Sequence, residues 1–184
     1  MRLDNKELKL LKSIVGSVII GFTQKIIDQV ENDNRPINNF SPEQIQFEFC
    51  NPGAMILYYF NNSKSFKGLE FISQNYLDVN DNQYSQFSIS CINNKVDYFN
   101  SYLINKVVIK IDVYTIIIGD IKLDNLLLFS FNDNSNILIE SSTSINGSIL
   151  LHFNNNNIIK ILSSDNKLKN NYEIIKCSSF TLKE

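Results

Sequence analysis

One histidine, His152, and three cysteines, Cys50, Cys91 and Cys177, are the residues from which nucleophilic or metal chemistry would have to be built in this chain of 184 residues. A Ser-His-Asp or Cys-His arrangement needs an imidazole as its base, so any such machinery would run through His152. In LHFNNNNIIKIL (151–162), strand alternation puts His152 on one face with Leu150 and Asn154, beside a predicted turn. That is the setting of a partly exposed strand histidine, not of a catalytic base. Structural zinc draws its ligands from closely spaced Cys and His pairs. One His and three dispersed Cys, with no CxxC, offer no such spacing. An odd number of distant cysteines reads instead as reduced, mostly buried thiols.

Paired carboxylates can do acid–base work without histidine. Glu48, Asp112 and Glu140 each lie on the polar face of a predicted strand, and packing two halves together could bring some of them into one cleft. The plainer reading makes them solvent-facing residues that keep a sheet soluble. Tyr58 and Tyr59 end an apolar run, and Tyr98, Tyr102 and Tyr114 lie near the start of the second half. Tyrosines on a sheet surface can anchor protein interfaces. The candidate partner-binding set is therefore Glu48, Tyr58, Asp112, Tyr114 and Glu140. No catalytic residue, metal ligand or cofactor is expected. The six glycines form neither a dinucleotide fingerprint nor a P-loop. NDNSN (132–136) starts like a calcium loop but lacks the glycine and closing glutamate.

Charge narrows the class. Lys and Arg number 17, Asp and Glu 19, and the net charge is −2. No basic field is available to attract nucleic acid. Val15 to Phe22 is apolar but too short to span a bilayer, and the charged segment before it, with Asp4 and Glu7, lacks the form of a signal peptide. The expectation is a cytoplasmic protein with neither membrane nor nucleic-acid partners. Asn and Ile each supply about one residue in seven, an excess that reads as codon bias, with Asn concentrated in turns.

The elements that must position these residues are mostly strands. Residues 4–15 read as one helix, with Leu8, Leu11 and Val15 at helical spacing, Asp4 as N-cap, Glu7 closing a capping box, and Gly16 as the stop. Beyond it the period becomes two. QIQFEFC, SQFSISC, VVIKIDVY and NILIESS alternate apolar and polar residues, as antiparallel strands with one wet face do. AMILYYF and NLLLFSF are apolar on both faces and read as central strands, one face covered by the helix. NPGA (51–54), FNDNSN (131–136), INGS (145–148) and NNNN (154–157) are turn chemistry. The last is expected to be a hairpin tip, with Ile159 and Ile161 beginning the return strand. Polar stretches 28–43 and 73–86 are expected as long loops, and 93–103 as a junction.

Two sequence matches suggest an internal duplication. VGSVIIGF (15–22) matches INKVVIKI (104–111) at an offset of 89, and Ile45, Phe47, Phe49, Met55 and Leu57 match Leu127, Phe129, Phe131, Ile137 and Ile139 at an offset of 82. The seven extra residues of the first copy would lie in 29–43. The fold expected is mainly β, at the margin of α+β: a short N-terminal helix and two similar antiparallel β units forming a sandwich or partly open barrels. Residues 1–95 would hold the helix and first unit and 96–184 the second, as one body with a pseudo-twofold repeat.

A small, motif-poor β chain of this kind suits a non-enzymatic protein-binding module. In type, not in motif, it resembles the small bacterial immunity proteins that neutralise a partner toxin, so no family residues carry over. Two other readings stand beside it. A small-ligand-binding sandwich would show a cavity lined by Phe47, Phe49, Phe129 and Phe131. A homo-oligomeric structural subunit would show a long apolar sheet edge.

Overall fold

The computed structural model describes residues 2–25, 44–50, 66–77, 83–92, 102–141, 149–163 and 172–182. The chain opens with helix α1 (Asn5–Ser13), capped as its sequence predicts. The Asp4 carboxylate accepts from the backbone of Lys6 (2.7 Å) and Glu7 (2.8 Å), and Glu7 Oε2 accepts from Asp4 N at 2.8 Å. Gly16, at φ +86°, ends the turn that follows, in a conformation that a side chain would strain. The other oxygen of Glu7 accepts from the Ile89 backbone at 2.9 Å, so one carboxylate closes the helix and also covers part of a sheet edge.

Strands β1 (Val18–Lys25), β2 (Gln44–Cys50), β3 (Phe66–Leu77) and β4 (Gln83–Ile92) form a four-stranded antiparallel sheet in chain order. Strands β5 (Val108–Ile118), β6 (Ile121–Phe131), β7 (Asn136–Ser141) and β8 (Ile149–His152) form a second antiparallel run. The final strand β9 (Glu173–Thr181) joins its far edge, giving the order β8-β7-β6-β5-β9. Among the described residues neither sheet closes into a barrel, and the two face each other as a sandwich. Phe22, Phe47, Phe49, Phe71 and Phe87 of the first sheet meet Ile111, Val113, Leu127, Phe129 and Phe131 of the second in one buried core, with Leu11 and Ile14 beside α1. Phe47 touches Phe71 edge-on (5.6 Å between ring centres) and stacks on Phe129 (6.1 Å), across the interface. Burying each such ring stabilises the fold by about 1.5–3 kcal/mol.

The pairing register repeats. Ile19 stands opposite Phe49 and Phe22 opposite Phe47; Val108 stands opposite Phe131 and Ile111 opposite Phe129. The same offsets of 89 and 82 residues relate the two sets, and each pair of strands carries a bulge at the same place, after Ile19 and after Val108. The two strand pairs also bond to each other about Val18 and Val107. Ile19 N donates to Lys106 O and Val108 N to Ser17 O, both at 2.9 Å. This is the register that an internal duplication would leave. The third strand corrects the sequence match. Leu69 and Phe71 of β3 stand opposite Phe47 and Ile45, as Ile137 and Ile139 stand opposite Phe129 and Leu127; Met55 and Leu57 lie outside the described residues.

Other expectations change. The stretch 73–86 is mostly strand: β3 runs to Leu77 and β4 starts at Gln83, because a long antiparallel ladder is carried by backbone bonds whatever the polarity of its side chains. NNNN is not a hairpin tip. Asn154 caps a helix, α2 (Asn155–Leu162), accepting from the backbone of Asn156 at 2.8 Å and of Asn157 at 3.4 Å. Asparagine at that position satisfies amides that a helix start leaves free. Ile158, Ile161 and Leu162 then fall on one face at helical spacing, while Ile159 is 65% exposed. NLLLFSF, in β6, is central and covered on both faces, but α2 covers its outer side, not the N-terminal helix. AMILYYF, NPGA, INGS and the stretch 28–43 lie outside the described residues.

Candidate functional site

Strand pairing collects three of the five predicted residues on one surface, the outer face of the five-stranded sheet. Cross-strand rows run Ser179–Asp112–Leu128–Leu138–His152 and Lys176–Tyr114–Leu126–Glu140–Leu150. The centre of this face is apolar. Leu126, Leu138, Ile158 and Ile174 are buried there, with Tyr114, Leu128 and Leu162 packed against them. Helix α2 lies across part of it and leaves a groove. One hollow of about 450 Å³ runs from Leu128 and Asn136 to Ile158, Ile159 and Leu162; a second of about 520 Å³ continues from Asn136 past Ser130 and Lys110 to Thr181.

Asp112 is not the wet-face residue that alternation implies. It is 2% exposed. Lys110 Nζ lies 2.9 Å from its Oδ2 and Lys176 Nζ 3.0 Å from the same oxygen, while Ser179 Oγ donates to Oδ1 at 2.6 Å. Burial pushes the Asp112 carboxyl up, but the hydrogen bonds from Ser179, Lys110 and Lys176 outweigh it and hold the carboxyl below its ordinary value. Two ammonium groups, 35% and 45% exposed at their side chains, therefore share one carboxylate at the rim of the groove. Tyr114 lies beside them, with Lys176 Nζ 5.7 Å from its ring centre. Burial, and then the Asp112 charge, raise the Tyr114 hydroxyl.

On the opposite flank Glu140 Oε2 stands 2.8 Å from His152 Nε2, both partly exposed. His152 thus has a carboxylate partner. Next to it, Phe153 meets Tyr102 edge-on at 4.9 Å, and both rings are about half exposed. Lys106 Nζ lies 4.8 Å from the Tyr102 ring centre.

Glu48 is elsewhere. It lies on the outer face of the four-stranded sheet and is 4% exposed, so it too departs from the expected solvent-facing position. Its strand neighbour Gln46 donates to Glu70 Oε1 at 2.6 Å, and Gln44 donates to the same oxygen. Tyr58 lies outside the described residues. Period-two reading assigns a residue to a face, but burial depends on what packs over that face, which no single strand reveals.

Another buried carboxylate, Asp124, stands opposite Thr115 beside the bulge between β5 and β6. It accepts from Leu3 N (2.9 Å), Thr115 Oγ1 (2.5 Å) and Arg2 Nε (3.4 Å), and so fastens the start of the chain to the second sheet. All three cysteines are free. Among the described residues, no three His, Cys, Asp or Glu side chains gather as metal ligands, and no helix is long and apolar enough to cross a membrane. The space that Phe47, Phe49, Phe129 and Phe131 would line as a ligand cavity holds their own rings: all four are buried, and Phe47 stacks on both Phe49 and Phe129.

The sequence reading passed over Lys110 and Lys176 as site residues. Lys110 was visible on the polar face of VVIKIDVY. Lys176 had no local signal, because it reaches Asp112 only through the pairing of β9 with β5. No family model matches this chain, and neither the curated proteins nor the solved structures contain a match to it.

Proposed function

We propose that this chain is a non-enzymatic protein-binding module of the cytoplasm, of the immunity type that neutralises a toxin, and that it engages its partner through the outer face of the five-stranded sheet. One observation supports this reading above the others: among the described residues, helix α2 covers only part of the apolar face. The groove that remains runs on past Lys110, which meets Lys176 on Asp112, and the Glu140–His152 pair lies across the same sheet face. An apolar floor with a polar, charged rim and half-exposed aromatic rings nearby is how protein interfaces are composed. Asp112, Tyr114 and Glu140 belong to that surface.

The test is a pull-down from native lysate with tagged chain, run beside Leu128→Lys and Tyr114→Ala variants and analysed by mass spectrometry. A stoichiometric partner that the wild type retains and the groove variants lose would support the reading. A partner retained equally by all three, or recovery of the chain alone, counts against it.

A further inference from the structure

The groove chemistry belongs to one half of the molecule only. The equivalents of Lys110 and Asp112 in the first sheet, by the shared offset of 89, are Gly21 and Thr23; Leu128 corresponds to Gln46 and, through the strand pairing, Leu138 to Glu70. The first sheet thus holds the same strand register with no charge at the Asp112 position and a glycine at the Lys110 position. The fold itself does not require two lysines about a buried carboxylate, nor leucines on an outer sheet face. Burying a carboxylate is costly unless it is paired; one lysine would pair Asp112, and two are present.

We propose that Lys110 and Lys176 form a clamp for a carboxylate side chain on an acidic, amphipathic segment of a protein partner, with Leu128, Ile158 and Leu162 receiving the apolar side chains of that segment. The proposal rests on the protein-binding reading above and names the chemistry of the partner. Both ammonium groups lie about 3 Å from the same Asp112 oxygen, so they stand within about 6 Å of each other, close enough to grip one incoming carboxylate. One carboxylate carries half the charge of the two ammonium groups, and Ser179 on its Oδ1 and Lys110 on its Oδ2 hold it in place. Among the described residues the two ammonium groups share this one carboxylate, which stands opposite Leu128 on the neighbouring strand, and Lys110 lines the hollow that continues from the apolar groove. Apolar contact and charge are thus offered side by side, which selects a segment that carries both.

The probe is a synthetic twelve-residue amphipathic peptide of Leu and Glu, titrated into the full chain while amide NMR spectra are recorded. Its Leu and Lys counterpart and inorganic phosphate are titrated in parallel. The acidic peptide should shift amides of β5, β9 and α2, bind more weakly as salt rises, and lose at least tenfold in affinity to a Lys110→Gln, Lys176→Gln variant. Gln removes the charge with a polar side chain only one heavy atom shorter, and an otherwise unchanged amide spectrum shows that the variant is folded. Equal binding of the basic peptide, an equal response to phosphate alone, or no loss in the double variant overturns the clamp. A peptide that instead shifts amides around Tyr102 and Phe153 overturns the clamp while leaving the protein-binding reading standing. If no peptide binds anywhere, the clamp fails and the broader reading is weakened with it.

Discussion

Gly16 and Asn105 occupy one structural position twice. Their φ angles are +86° and +69°, and each is the third residue of a turn closed by the same bond, Ser17 N to Ile14 O in one half and Lys106 N to Leu103 O in the other. Each then donates its own amide across to the opposite half, Gly16 to Val108 O at 2.7 Å and Asn105 to Ile19 O at 2.8 Å. The left-handed conformation therefore aims a donor at the seam between the sheets. A β-branched residue cannot adopt it cheaply, so Asn105→Val should destabilise the fold by about 1–2 kcal/mol. Asn105→Gly should stay within about 0.5 kcal/mol of wild type. Urea unfolding would read both; a tolerated valine would mean that the seam bonds contribute little.

Phe47 and Phe129 stack across the sandwich and are both fully buried. Either one changed to Ala should cost about 3–5 kcal/mol. Because they line the same space, the double variant should depart from additivity by more than about 0.5 kcal/mol. Thermal or denaturant unfolding of the four proteins in the cycle gives the coupling, and strict additivity would show that the rings act independently.

The Asp112 carboxyl titrates below its ordinary value in the folded chain. A group of that sign contributes its full stability above the ordinary carboxylate range and loses it as pH falls through the folded value. Asp112→Asn should therefore lower the melting temperature by a constant amount at neutral pH, equivalent to about 1–3 kcal/mol. The gap should shrink below about pH 4. A gap that does not change with pH would deny Asp112 its ion pairs in solution.

Removing the cap of α2 tests the groove wall. Asn154→Ala leaves the Asn156 and Asn157 amides without their side-chain acceptor, at a cost of about 1 kcal/mol. Hydrogen exchange should quicken in Asn155–Leu162 first and leave β5 and β6 protected. Uniform loss of protection would make α2 part of the global folding unit and not a separate cover.

Glu7 joins the helix to the sheet edge through Asp4 N and Ile89 N. Glu7→Ala should cost about 1–2 kcal/mol and raise the exchange rate of the Ile89 amide in particular. Glu7→Gln keeps an acceptor oxygen and should recover part of the loss. An Ile89 amide indifferent to both changes would sever that link.

Local physics settled much of this protein before any strand was paired. The capping box at Asp4 and Glu7, the stop at Gly16, and the alternation in QIQFEFC, VVIKIDVY and NILIES each depend on residues within a few positions of one another, where steric limits and side-chain spacing act directly. The offsets of 89 and 82 were also readable, and they anticipated the register of β1–β2 and β5–β6. The tract at 154–157 carried a legible but ambiguous signal, since asparagine serves turns and helix starts alike. Packing decided between them, because Ile158, Ile161 and Leu162 bury together only on a helix. The site itself had to wait for the tertiary structure. Asp112 and Lys176 lie 64 positions apart and meet because β9 returns to pair with β5. Whether a strand's second face is wet or covered depends on what lies over it. Helix α2 comes from beyond the strands it covers, and no alternation within those strands encodes its arrival.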